Sequence, residues 1–247
     1  MEPLSLFAMV LSLIGPADRY VSPAPKELQI KAGEQIVAIG DSITQAGGYL
    51  RAIDATFAQQ YPDLKIPKVI NVGISGQKAE DLVKRFEKDV VERKPAFVTI
   101  SIGINDVWHR LKNPHDEQVL REYGRNVERM VEMAQDAGIR VILLAPTVIE
   151  ENPKAEGNVR LARYIAAGKD IAQRRKCTYV DLHQMFLDAI AAGKVEPDAK
   201  GNRFTTDGVH MKPAGDALMA VGVLRAFGVP DEKIRATELE KVLGGKK

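Results

Sequence analysis

Gln35-Ile36-Val37-Ala38-Ile39-Gly40-Asp41-Ser42-Ile43-Thr44 is the stretch on which the reading of this chain turns. An apolar run of strand length ends at a glycine, and an aspartate and a serine follow at once. Such a run bounded by a turn signal reads as a buried strand, and Gly40 lets the backbone bend sharply where the strand stops. Ser42 then stands at the C-terminal end of a strand, where open α/β sheets gather their ligand-binding groups. Serine is also a favoured helix N-cap, so the turn by itself leaves both roles open. Far along the chain, Asp207-Gly208-Val209-His210 supplies a carboxylate and an imidazole three residues apart. Serine, histidine and carboxylate are together the parts that make a neutral hydroxyl nucleophilic.

Similar apolar runs occupy 68–72, 97–102, 140–145 and 178–182 and, with 35–39, make five expected strands. The connections have helical spacing. Tyr49, Ile53 and Phe57 recur every four residues, as do Leu82, Phe86 and Val90, while Val127, Met130, Val131 and Ala134 follow a three-then-four pattern. Gly138 falls where a helix-ending glycine belongs, just before the fourth strand. This alternation predicts an α/β fold, a single-domain three-layer sandwich whose parallel sheet of about five strands is flanked by helices. In such a sheet the strand C-termini share one edge. Ser42 follows the first of them, Gly76 closes Asn71-Val72-Gly73-Ile74-Ser75-Gly76 after the second, and Asn105 lies in Gly103-Ile104-Asn105-Asp106 after the third. Three turns remote in sequence are thereby brought to one place.

The bulk properties are those of an ordinary globular chain: 247 residues, 45% hydrophobic, 28% charged and a net charge of +2. That charge gives no pull toward nucleic acid or membrane surfaces. Arg174-Arg175-Lys176 closes an expected helix and complements its dipole there. Cys177 is the only cysteine, which excludes an internal disulfide and a cysteine-based metal site, and its place at the start of an apolar strand predicts a core residue. No pair of histidines has metal-ligand spacing, and neither a Walker-type loop nor a GxGxxG after a strand is present, so neither metal nor cofactor is expected. The GxSxG elbow of ordinary α/β-hydrolases is missing as well. The apolar stretch 4–14, followed by Gly15-Pro16-Ala17, has the length of a signal-peptide core and is too short to span a membrane. Export is the expectation it carries, although no Lys or Arg precedes it; an N-terminal arm packed on the domain is the alternative. The expected layout is a signal segment and proline-rich linker over 1–31, one domain over 32–229 and a charged tail over 230–247, a peripheral helix with a frayed Gly-Gly-Lys-Lys end.

With the Ser42, Gly76, Asn105 and His210 blocks in order, the chain resembles the SGNH (GDSL-type) hydrolase superfamily over roughly residues 35 to 227. Many members carry proline straight after the histidine, whereas here Met211-Lys212 precede Pro213. The resemblance implies the flavodoxin-like fold of that superfamily and a serine esterase working through an acyl-enzyme without a cofactor. Ser42 is then the nucleophile, His210 its base and Asp207 the residue that orients the imidazole. The backbone N–H groups of Ser42 and Gly76 and the side-chain amide of Asn105 form the oxyanion hole; without the resemblance, Gly76 and Asn105 would read as turn residues. Asp41, Trp108 and His109 are candidate pocket residues and Asp106 a turn or cap residue, while His115 and His183 are expected at the surface. The expected partner is a small-molecule or glycan ester. The polar stretches 146–158 and 193–206 fall at the catalytic edge, where a polar rim suits short acyl groups on a sugar. Lysophospholipase or thioesterase activity, or a non-catalytic binding module on the same fold, are the alternatives.

Overall fold

The computed structural model describes residues 5–239 and 243. In chain order the helices are α1 (Leu6–Leu11), α2 (Ser42–Ala46), α3 (Gly48–Gln60), α4 (Ala79–Asp89), α5 (Ile104–Trp108), α6 (Glu117–Asp136), α7 (Glu156–Arg175), α8 (Leu182–Ala192), α9 (Pro213–Ala226) and α10 (Asp231–Arg235). The strands are β1 (Val21–Ser22), β2 (Ile36–Gly40), β3 (Ile70–Asn71), β4 (Phe97–Ser101), β5 (Arg140–Leu144) and β6 (Thr178–Val180). They form one sheet in the order β1-β6-β5-β4-β2-β3. All pairings are parallel except that of β1 with β6.

Every residue of β2 and β4 is buried, because helices cover both faces. α4, α6 and α7 pack together in one layer, and α1, α3 and α8 gather around α9 in the other. Within the first layer, Arg174 and Arg175, at the end of α7, reach Glu128 of α6 at 3.1 and 2.9 Å. α9 is apolar on all sides and carries fully buried Leu218, Met219, Val221, Val223 and Leu224. From β2 the chain steps outward to β3, then returns to the other side of β2 as β4 and continues to β5 and β6. The strand order therefore reverses between β2 and β4, and such a switch point opens a crevice at the strand C-termini. The register Gly40↔Ser101 sets the end of β2 level with the end of β4, so the segments bearing Ser42 and Asn105 leave the sheet side by side.

The five expected strands are all present, and the sheet has a sixth. Residues 19–31, expected as a linker, contribute β1, whose Val21 and Ser22 pair with Val180 and Tyr179. Two residues beside Pro23 and Pro25 carry too little pattern to be read as a strand. The apolar stretch near the start forms α1, with Phe7, Val10 and Leu11 buried against α9. Residues 1–4 and the Gly-Gly-Lys-Lys end lie outside the described residues, and no helix among those described is long and apolar enough to cross a membrane. Cys177 is buried, which pushes its thiol up to about 11.

Candidate active site

The end of β2 turns directly into α2, and Asp41 is the residue that caps it: its carboxylate accepts the N–H of Ile43 at 3.0 Å. Ser42 is thus relieved of the capping role, and its hydroxyl is engaged elsewhere. Its Oγ lies 2.9 Å from Nε2 of His210. Nδ1 of the same ring lies 2.7 Å from Oδ2 of Asp207, while Oδ1 of Asp207 accepts the backbone N–H groups of Val209 and His210 at 3.0 and 2.8 Å. Asp207 is therefore a turn-forming aspartate and an imidazole partner at once. Burial acts to raise its pKa, but the N–H and ring of His210 outweigh that and hold the carboxyl below the usual range. Since a carboxylate only accepts, Nδ1 carries the proton and Nε2 is left to accept from Ser42.

The turn bearing Asp207 and His210 is closed by a bridge between Thr205 and Met211 and by hydrogen bonds from Thr206 N to His210 O and from Lys212 N to Phe204 O, both 2.8 Å. Its base is held by the loop after β5. The carboxylate of Glu151 accepts the backbone N–H groups of Arg203, Phe204 and Thr205, each at 2.7 Å, and Gly208 O accepts the N–H of Glu150 at 2.8 Å. On the other side the Trp108 ring meets His210 edge-on, 5.9 Å between centroids.

Gly76 lies in the turn after β3 with φ of +77°, a left-handed conformation that favours glycine although nothing stands within 4 Å of where a Cβ would sit. At Gly73 the constraint is contact instead: a Cβ would fall 2.3 Å from Gln45 N, so the turn packs against α2 itself. Ser75 N donates to Oε1 of Gln45 at 2.7 Å, and Asn71 Nδ2 to Thr44 O, also at 2.7 Å. Asn105 is 2% exposed, and its Nδ2 donates to Gln77 O at 3.0 Å. An amide nitrogen has two hydrogens, so one remains for a ligand. Asp106 accepts Ala79 N at the first turn of α4, at 3.3 Å to either oxygen, and burial pushes its carboxyl up to about 7.

Some expected placements change. Asp41, expected among the pocket residues, is only 2% exposed and acts as a buried cap; burial pushes its carboxyl up to about 6. His183 is buried rather than at the surface, like its α8 neighbours Met185 and Phe186, and its Nδ1 meets Thr147 O. His109 is exposed, as is most of 193–206, whereas 146–149 is buried, as are Ala155, Gly157 and Asn158, so that mainly 150–154 of that stretch faces outward. The sequence reading missed the polar residues that hold the site's turns, above all Arg85 and Glu151. Nothing in their local sequence separates them from solvent-facing charges.

The chain matches the GDSL-like Lipase/Acylhydrolase family over residues 38–218, which includes Ser42, Gly76, Asn105 and His210. It belongs to that family. The GDSL-like chain is 31% identical over 219 residues to the acetylxylan esterase of Geobacillus stearothermophilus, covering 81% of this chain and 97% of that one. The crystal structure of that esterase superposes with a TM-score of 0.73, covering 83% of this chain and 98% of the solved one. A second relative, the human isoamyl acetate-hydrolyzing esterase 1 homolog, is 26% identical over 208 residues, 75% of this chain and 77% of that one. The resemblance to the GDSL-type superfamily drawn from the four blocks is thus borne out, as is the α/β sandwich fold.

Proposed function

We propose that this GDSL-like protein is a serine esterase that removes acetyl groups from carbohydrate alcohols. The observation that carries the reading is the unbroken hydrogen-bonded chain from Ser42 Oγ through both nitrogens of His210 to Asp207. A non-catalytic binding module has no need of that chain. Ser42 Oγ attacks the acetyl carbonyl carbon as His210 Nε2 takes its proton, and Asp207 steadies the imidazolium that forms. The oxyanion is received by the N–H groups of Ser42 and Gly76 and by the free amide hydrogen of Asn105. The intermediate collapses as His210 returns the proton to the departing sugar oxygen, leaving acetyl-Ser42. Water, deprotonated by His210, then releases acetate and restores the serine. Solved catalytic mutants of the Geobacillus esterase replace a serine, an aspartate and a histidine by alanine, the last two being three residues apart as Asp207 and His210 are.

The relatives' names supply the acetyl and glycan parts of the reading. The exposed, polar stretch 193–206, which runs into Asp207, supports them, since a wet rim offers little burial to an acyl chain that gains ~0.8 kcal/mol per methylene. The test is turnover of acetylated xylo-oligosaccharides together with a p-nitrophenyl ester series. kcat/KM is expected to fall from acetyl to octanoyl, and a steady rise would overturn the short-acyl reading in favour of a lysophospholipase or thioesterase. Ser42→Ala is expected to lower turnover by on the order of 10⁶ and to abolish fluorophosphonate labelling with the fold intact. Retention of a tenth of the activity would remove Ser42 from its role.

A further inference from the structure

The three oxyanion donors come from three separate segments, the exits of β2, β3 and β4, and each donor is useful only if all three keep their mutual positions to a fraction of an ångström. One side chain touches the support of each. Arg85, in the middle of α4, donates from Nη1 to Val72 O at 2.7 Å, where the chain leaves β3 toward Gly76. Its Nη2 reaches Gly40 O at 3.4 Å, two residues before Ser42. Its Nε donates to Oε1 of Gln77 at 2.7 Å, and the carbonyl of that same Gln77 accepts the Asn105 amide at 3.0 Å. Asp89, one turn further along α4, takes a second bond from Nη1 at 2.6 Å and fixes the guanidinium in place. The side chain is 14% exposed and so is largely withdrawn from competition with water.

We infer that Arg85 is a positioning residue for the oxyanion hole, a planar clamp that sets the Ser42, Gly76 and Asn105 donors relative to one another. The guanidinium suits this task because its five donors project in fixed directions in one plane, whereas an ammonium is a point charge on a flexible stem. An ordinary surface ion pair between Arg85 and Asp89 would account for one of its contacts and leave three main-chain and amide contacts without a purpose. The inference rests on the oxyanion role proposed for Ser42, Gly76 and Asn105, but not on the identity of the natural ester.

The test therefore uses a fluorophosphonate, whose reaction with Ser42 needs the oxyanion hole and no sugar, beside p-nitrophenyl acetate turnover. Arg85→Met is expected to slow labelling and kcat by about 10²-fold with KM changed less than threefold. Arg85→Lys should fall between Met and wild type. Gln77→Met, which cuts one link and leaves the Arg85–Asp89 pair intact, should show the same kcat-weighted loss at smaller size, so the inference stays testable if Arg85→Met folds poorly. Asp89→Asn, which loosens the guanidinium but leaves its contacts to Val72, Gly40 and Gln77, should show a kcat-weighted loss smaller than that of Arg85→Met. In the double variant Arg85→Met/Asn105→Ala, the loss should be well short of the product of the single losses. Labelling of Arg85→Met within twofold of wild type, a rise in KM with kcat unchanged, or full multiplicativity in the double variant would each overturn the inference. Wild-type enzyme that labels readily yet releases no acetate from acetylated glycans would sink the substrate reading and leave this one standing.

Discussion

Replacing Asp207 by asparagine changes one atom of the side chain and is expected to disable the enzyme through the tautomer of His210. Oδ1 of Asp207 accepts two main-chain N–H groups, from Val209 and His210, and Oδ2 faces Nδ1 of the ring. Asparagine has a single acceptor oxygen. Turned toward the ring, it would set its NH₂ against two N–H donors, losing both hydrogen bonds at a cost of about 2–4 kcal/mol. It will therefore keep its oxygen on the main chain and present NH₂ to Nδ1, which must then accept. The ring proton moves to Nε2, where it blocks transfer from Ser42. A 2–4 kcal/mol preference leaves roughly one molecule in 30 to one in 10³ with the productive tautomer, and loss of the carboxylate opposite the imidazolium lowers kcat further, to about 10⁴-fold overall. The assay is steady-state hydrolysis of p-nitrophenyl acetate at pH 7 to 8, with circular dichroism to verify the fold. Activity above a tenth of wild type would refute the tautomer argument and reduce the machinery to a Ser42–His210 dyad.

Two further outcomes are expected. Asn105→Ala should lower kcat by about 10² to 10³ with little change in KM, because the amide acts on charge that develops only in the transition state; an effect confined to KM would assign Asn105 to ground-state binding. Asp106, with a folded pKa of about 7 against an unfolded value near 3.9, keeps a proton in the folded state that the unfolded chain has lost, so its contribution to stability falls as pH rises from about 4 to about 7. Urea unfolding at pH 5 and pH 8 should show the stability gap between those values narrowing by about 2–3 kcal/mol in Asp106→Asn, and an unchanged gap would mean that Asp106 is ionised throughout.

The proposed catalytic groups were legible because each sits in a short contiguous signal. Ser42 follows a strand directly, and Asp207 and His210 share one turn, so neighbours in sequence are neighbours in function. Strands β2, β4 and β5 were legible because burial on both faces makes them continuous apolar runs. β6 is shorter than its apolar run, since Asp181 stops it by capping α8, accepting Gln184 N at 3.0 Å. The supports of the site were not legible, for the opposite reason. Arg85 is one of several charges on an amphipathic helix, and only the fold shows that it faces Val72 and Gly40 rather than water. Glu151 sits in a stretch whose composition suggests a wet rim, yet its carboxylate binds main-chain groups more than 50 residues away. His183 fell on the wrong side of the same divide, because a polar residue with a main-chain carbonyl for a partner leaves no mark in sequence spacing.

Strand β1 is two residues long, and so is β3 at the opposite margin of the sheet. A parallel sheet left open beside β6 would offer a row of unpaired N–H and C=O groups to any other extended chain, a template for aggregation. Val21 and Ser22 cover that row with the chain's own beginning, and the prolines at 23 and 25 that follow have no N–H with which to recruit a further strand. A form of the protein beginning beyond residue 22 would keep Ser42, His210 and Asp207 yet bare the flank of β6 together with the apolar face of α9 that α1 covers, and its first failing would be one of solubility at high concentration rather than of catalysis.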